Sequence, residues 1–160
     1  MLSIRPAVAE DAALLKTLIY EFADFYRFPV SITEEQLVRD GFGPQPKFQV
    51  LIAESSGHPA GYALFFDYYS SFHGRALYLE DLFIRPQFRG GGAGQALFAH
   101  VAEEGAKRGC DRVLFNVLNS NHPAIRFYKK LGATFSDDWK VVCLEGSALE
   151  GLAAYHSGRR

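Results

Sequence analysis

The chain is expected to fold as a mixed α/β (α+β) domain, a central β-sheet with helices on both faces. Three observations predict this. Leu14, Leu15, Leu18, Ile19, Phe22 and Phe25 recur at helical spacing near the start. Three strand-like runs then succeed one another between residues 48 and 84. Helices and strands alternate only beyond that point, which argues for a mixed sheet rather than a doubly wound parallel one.

Each element has its own signals. Leu2 to Arg5 reads as a short first strand stopped by Pro6. A helix comes next from Ala9 to about Phe25, with Glu10 and Asp11 at its positive end. Thr33-Glu34-Glu35-Gln36 is a capping box that starts a second, short helix, and Gly41 ends it. Phe48 to Glu54, a turn at Ser55-Ser56-Gly57-His58, and Ala60 to about Tyr69 read as a hairpin. Arg75 to Ile84 is a further strand, ended by Arg85-Pro86. A glycine cluster leads into a helix through Leu97, Phe98 and Val101 to Arg108, with Gly109 as its stop. Arg112 to Val117 is a short strand. His122-Pro123 opens a helix closed by Gly132, and Trp139 to Leu144 is expected as a last strand before a short apolar tail.

A length of 160 residues suits one domain, expected to span 1–160. Apolar residues at 48% and aromatics at 14% fill a core without disulfides or metal and exclude disorder. A net charge of -1 gives no basic field for nucleic acid and no polybasic membrane patch. Cys110 and Cys143 stand apart, without the paired Cys/His spacing of a metal site, and such low cysteine use fits a reducing compartment. The N-terminus lacks a signal-peptide pattern, and no run of about 18 apolar residues exists, so the expected location is the cytoplasm.

Arg89-Gly90-Gly91-Gly92-Ala93-Gly94 sits between a strand and a helix. Two readings stand. One is an anion site, where glycines admit close approach and successive N–H groups and the helix N-terminus meet a phosphate or pyrophosphate. The other is a tight turn with spare glycines. A P-loop is excluded, because Gln95-Ala96 comes after Gly94 where Lys and Ser or Thr would be needed. The dinucleotide fingerprint fails too, with Leu97 at its third small position.

Read as Arg-x-x-Gly-x-Gly, residues 89, 92 and 94 resemble the acetyl-CoA loop of the GNAT superfamily of N-acetyltransferases. Leu77-Tyr78-Leu79-Glu80-Asp81-Leu82-Phe83-Ile84 upstream and the segment from Asn121 to Ala133 downstream sharpen the likeness. In this order and spacing they are similar to the spermidine/spermine (diamine) N-acetyltransferase branch. Arg5-Pro6-Ala7 and Asp40-Gly41-Phe42-Gly43 are similar to that branch as well.

The resemblance implies a GNAT-type mixed sheet whose fourth and fifth strands splay apart. It implies transfer of an acetyl group from acetyl-CoA to a primary amine, by direct attack and without a metal. The pantetheine arm would pair with the backbone of Leu82, Phe83 and Ile84. The pyrophosphate would meet Arg89, Gly90, Gly91, Gly92, Ala93, Gly94 and Gln95. Asn121, Pro123 and Ala124, opening a helix, would also touch the cosubstrate. Tyr128 would stand at the thioester sulfur as proton donor, and Glu80 would accept or relay the proton of the amine. Phe25, Tyr26, Asp81 and Asn116 would join Glu80 in seating the substrate. Taken without the family, Tyr128 reads as core, Asn121 as a helix cap, and Glu80 as a strand-edge charge.

Departures from the branch concern the acceptor. Phe25-Tyr26-Arg27 stands where the branch has Tyr-Glu, and Ser70-Ser71-Phe72 where it has Asp-Pro-Trp. Two acids are lost, so the implied acceptor widens from polyamines to diamines and lysine- or ornithine-like amines. The resemblance also implies a homodimer with Trp139 to Leu144 in its interface. Two alternatives remain at this level: a noncatalytic acetyl-CoA-binding or sensing domain, and an acetyltransferase of protein lysines or N-termini.

Overall fold

A computed structural model describes residues 1–155. Contacts divide the chain into two compact units, 1–116 and the residues from 117 on, and each is described by itself.

The first unit holds one five-stranded sheet in the order β1-β2-β3-β4-β5. Its strands are β1 (Leu2–Pro6), β2 (Gln49–Ser55), β3 (His58–Ser70), β4 (Gly74–Ile84) and β5 (Val113–Leu114). The first four pair antiparallel and β5 joins β4 in parallel, so the sheet is mixed. Pro6 ends β1 on the sheet edge, where a missing N–H is tolerated. Helices α1 (Ala12–Tyr26) and α2 (Glu34–Gly41) lie between β1 and β2, and α3 (Ala93–Lys107) between β4 and β5. The Thr33 capping box forms: Thr33 Oγ1 accepts from Gln36 N at 3.2 Å, and Gln36 Oε1 from Thr33 N at 2.8 Å. Ala9–Asp11, expected as the first turn of α1, is a 3-10 turn instead. There Asp11 Oδ2 turns back to accept from Val8 N at 2.8 Å and pairs with Arg5 at 2.7 Å.

Strand alternation sorts the core into two layers. Val50, Ile52, Tyr62 and Leu64 pack with Leu15, Leu18 and Leu37 of α1 and α2. Leu51, Ala53, Ala63 and Phe65 pack with Leu97 and Val101 of α3. Successive strand residues therefore feed opposite layers, and helices cover both faces.

The β3–β4 ladder carries a bulge. Leu64 pairs with Asp81 and Phe65 with Leu79, so Glu80 is an extra residue on β4. The insertion reverses the facing of every later residue on the strand. Leu77 and Leu79 belong to the α3 layer before it, Leu82 and Ile84 after it, and Phe83 enters the α1 layer. β5 is shorter than the expected Arg112 to Val117, and it pairs β4 only at Leu77 and Tyr78. Among the described residues no strand pairs that side of β4 from Leu79 to Ile84.

The second unit contains α4 (His122–Lys130) and α5 (Gly146–Ala154). The expected last strand, Trp139 to Leu144, does not form. A strand exists only through a partner's hydrogen bonds, and none of the described residues supplies them. Trp139, Val141 and Val142 are 82%, 85% and 87% exposed. The apolar tail expected after it includes a helix, α5.

Candidate functional site

The site in the first unit is built around β4 beyond its bulge and the glycine loop that β4 feeds. At the bulge stand two consecutive carboxylates in different surroundings. Glu80 is exposed. Asp81 is half-buried, and the Tyr62 hydroxyl on β3 donates to its Oδ2 at 2.9 Å. Burial pushes the Asp81 carboxyl up to about 6; the Tyr62 hydrogen bond opposes that rise and the charge of Glu80 adds to it. The Tyr62 phenol is driven far up as well, by burial first and then by the charge of Asp81.

Before the bulge, Tyr78 stacks on Phe66 at 5.2 Å and lies 6.1 Å from the Tyr68 ring. Burial raises the Tyr78 phenol, and the negative charge of Glu80 raises it further. An aromatic stack thus lies within the field of an exposed carboxylate, a combination that suits a cation on an aliphatic chain. The sequence reading missed Tyr62, Phe66 and Tyr78. The available signal was strand alternation, which puts Tyr62, Leu64, Phe66 and Tyr68 on one face of β3.

Beyond the carboxylates, no strand among the described residues pairs the β5-side edge of Leu82, Phe83 and Ile84. Gly61 opposite Ile84 is required by close approach, since a Cβ there would collide with the Phe83 carbonyl oxygen. Arg85 then locks the strand end: two of its nitrogens bond Glu21 of α1, each at 2.7 Å, and a third bonds Pro59 O at 2.7 Å.

In the loop, Gly90 and Gly92 adopt φ of 82° and 84°, and a Cβ at either would meet nothing within 4 Å. Gly92 is the N-cap of α3 and offers no side chain to its first turn. Among the described residues no acceptor takes the N–H groups of Gly90 to Gln95. Open space, outward N–H groups and a helix N-terminus fit a pyrophosphate. Arg89 is held beside this cradle: its Nε donates to Ile84 O at 2.8 Å, and its guanidinium lies 4.5 Å from the Phe25 ring centre. Tyr26 lies near that cation; burial raises its phenol and the Arg89 charge opposes the rise. A cavity of about 560 Å³ opens there, lined by Glu21, Asp24, Phe25, Phe83, Arg85, Pro86 and Gln87. The structure thus brings Phe25 and Tyr26 to the loop through Arg89. Asn116 is exposed beyond β5, at the end of the first unit.

In the second unit, Asn121 caps α4, with Oδ1 accepting from Ala124 N at 3.2 Å and Pro123 in the first turn. Tyr128 is the buried residue of α4, edge-on to Phe127 at 5.2 Å. Among the described residues no group of three or more His, Cys, Asp or Glu could hold a metal ion, and no helix is long and apolar enough to cross a membrane.

A mixed sheet with a strand edge open beside a glycine loop is the arrangement to set against known proteins. The description "Acetyltransferase (GNAT) family" matches residues 15–133. The chain belongs to that family and is an N-acetyltransferase. It is 38% identical to thialysine N-epsilon-acetyltransferase of Mus musculus, over 94% of this chain and 96% of that one. It is also 38% identical to L-ornithine N5-acetyltransferase of Arabidopsis thaliana, over 58% of this chain and 41% of that one. Among solved structures, an integron cassette protein of V. cholerae shares the fold at a TM-score of 0.78 and 23% identity, covering 95% of this chain and 97% of that one.

Proposed function

We propose that the protein transfers the acetyl group of acetyl-CoA to a primary amine of a small molecule, either a lysine- or ornithine-like amine or a di- or polyamine. The observation that carries this reading is β4 around its bulge: an aromatic stack before it, two carboxylates at it, and after it an edge left unpaired among the described residues that runs into the glycine loop. Similarity to a thialysine acetyltransferase along 94% of the chain supports the amine class.

Acetyl-CoA, when bound, supplies an activated thioester carbonyl. The backbone of Leu82, Phe83 and Ile84 holds its extended arm, and Arg89 with the N–H groups of Gly90 to Gln95 holds its pyrophosphate. Asn121, Pro123 and Ala124 add contacts from the start of α4. Phe25, Tyr26, Asp81 and Asn116 seat the acceptor. An alkylammonium has a pKa of about 10 and becomes nucleophilic only on losing a proton. Glu80 accepts that proton at its carboxylate, and Tyr128 carries at Oη the proton that the departing thiolate needs. In this reading the domain spans 1–160, as supported by a family match that runs across both units. It works in the cytoplasm as a homodimer, without metal, nucleic acid or membrane. The exposure of Trp139, Val141 and Val142 supports strand pairing with a second copy.

The test is release of CoA thiol from acetyl-CoA across thialysine, ornithine, lysine, putrescine, spermidine, spermine and a basic peptide. Turnover on small amines, with the peptide inert, is expected. Tyr128→Phe is expected to lower kcat about 100-fold at unchanged acetyl-CoA affinity. Tight acetyl-CoA binding with no release on any amine would overturn the proposal.

A further inference from the structure

Tyr62 has no side-chain surface in solvent, and its ring packs with Leu15, Leu18 and Phe83. A phenylalanine would serve that apolar cluster equally, without a polar atom to satisfy. The hydroxyl has a single described partner, Asp81 Oδ2. Asp81 in turn has no other described side-chain bond, while no buried side-chain oxygen among the described residues lacks a partner. Its Oδ1 therefore keeps access to solvent or ligand.

Resting on the reading above, we propose that Tyr62 is a positioning residue for acetyl transfer: its buried hydroxyl orients the Asp81 carboxylate beside Glu80 and favours the ionised form that receives the cationic amine. The bulge makes this geometry. Without the extra residue, Asp81 would sit one step out of register with the α1 face and away from Tyr62. The surroundings leave Tyr62 as the group that favours ionisation. On β4, Glu80 opposes it. From β3 comes the Tyr62 hydrogen bond. Helices α1 and α2 bring Leu14, Leu15, Leu18, Phe22 and Leu37 to this layer, and none of their charged groups acts on Asp81. Burial alone would keep the carboxyl protonated to a higher pH.

The test is Tyr62→Phe, which keeps the ring and its packing, read in two ways. Carboxyl ¹³C NMR of protein labelled at aspartate follows Asp81 directly, with Asp81→Asn identifying its signal. The midpoint is expected to rise by about one pH unit or more, the effect of losing a hydrogen bond to a charged group. The acid limb of kcat/KM for thialysine is expected to move upward by the same interval, at an unchanged KM for acetyl-CoA. A purely structural role would lower the rate at every pH and leave both midpoints in place. An unmoved NMR midpoint overturns the proposal, and so does a moved midpoint with an unmoved acid limb. Wild-type protein that acetylates no amine would instead defeat the acetyl-transfer reading, while the NMR midpoint still decides whether Tyr62 controls Asp81.

Discussion

The two halves of β4 share one strand and one partner, β3, yet have opposite characters. From Arg75 to Leu79 the strand is sheet interior: Ala76, Leu77 and Leu79 are at most 2% exposed, and β5 pairs Leu77 and Tyr78. From Glu80 to Ile84 the strand, among the described residues, is paired by β3 on one side only, and it carries the two carboxylates. A single inserted residue separates the halves. Both halves send side chains into the core, Leu77 and Leu79 from the first and Phe83 from the second, but only the first is paired by β5.

Four substitutions test that division. Leu77→Ala is expected to cost about 3 kcal/mol in denaturant unfolding, since Leu77 is fully buried between β3 and α3. Gly92→Glu, in the loop fed by the second half, is expected to weaken acetyl-CoA binding about 100-fold by calorimetry, because a carboxylate enters the anion cradle. Its folding penalty is expected to stay near 1 kcal/mol, about the strain of a side chain at positive φ. Glu80→Gln is expected to lower kcat about 30-fold while the melting temperature stays within a degree or two, because the side chain is exposed. A large loss of stability would erase the contrast between the halves. Glu21→Ala removes the two bonds to Arg85 and is expected to cost about 1 kcal/mol, with a modest rise in KM for acetyl-CoA.

The contrast also explains what the sequence revealed. Helices α1 and α3 were legible because their apolar positions repeat at 3.6-residue spacing over 15 residues each. The glycine loop between β4 and α3 was legible because only glycine readily reaches the φ values that Gly90 and Gly92 adopt there. The bulge was not, since an inserted residue leaves no mark in composition and reverses the facing of every later side chain. The family resemblance gave Glu80 and Asp81 different roles, but nothing in the residues themselves showed that one is exposed and the other held by Tyr62. Trp139 to Leu144 has strand composition, but pairing depends on a neighbour that composition does not name. Helix α5 escaped notice because Gly146 and Gly151 weaken its helical signal.

Burial pushes the Asp81 carboxyl up to about 6 from its ordinary 3.8, so the native chain binds a proton more tightly there than the unfolded one. Between those values the folded state carries the excess proton, and stability falls as pH rises through the window, by on the order of 3 kcal/mol. At neutral pH the protein thus retains an ionised group that its own fold disfavours. Mild acid therefore stabilises the chain through this one group even as it neutralises the carboxylate that Tyr62 holds.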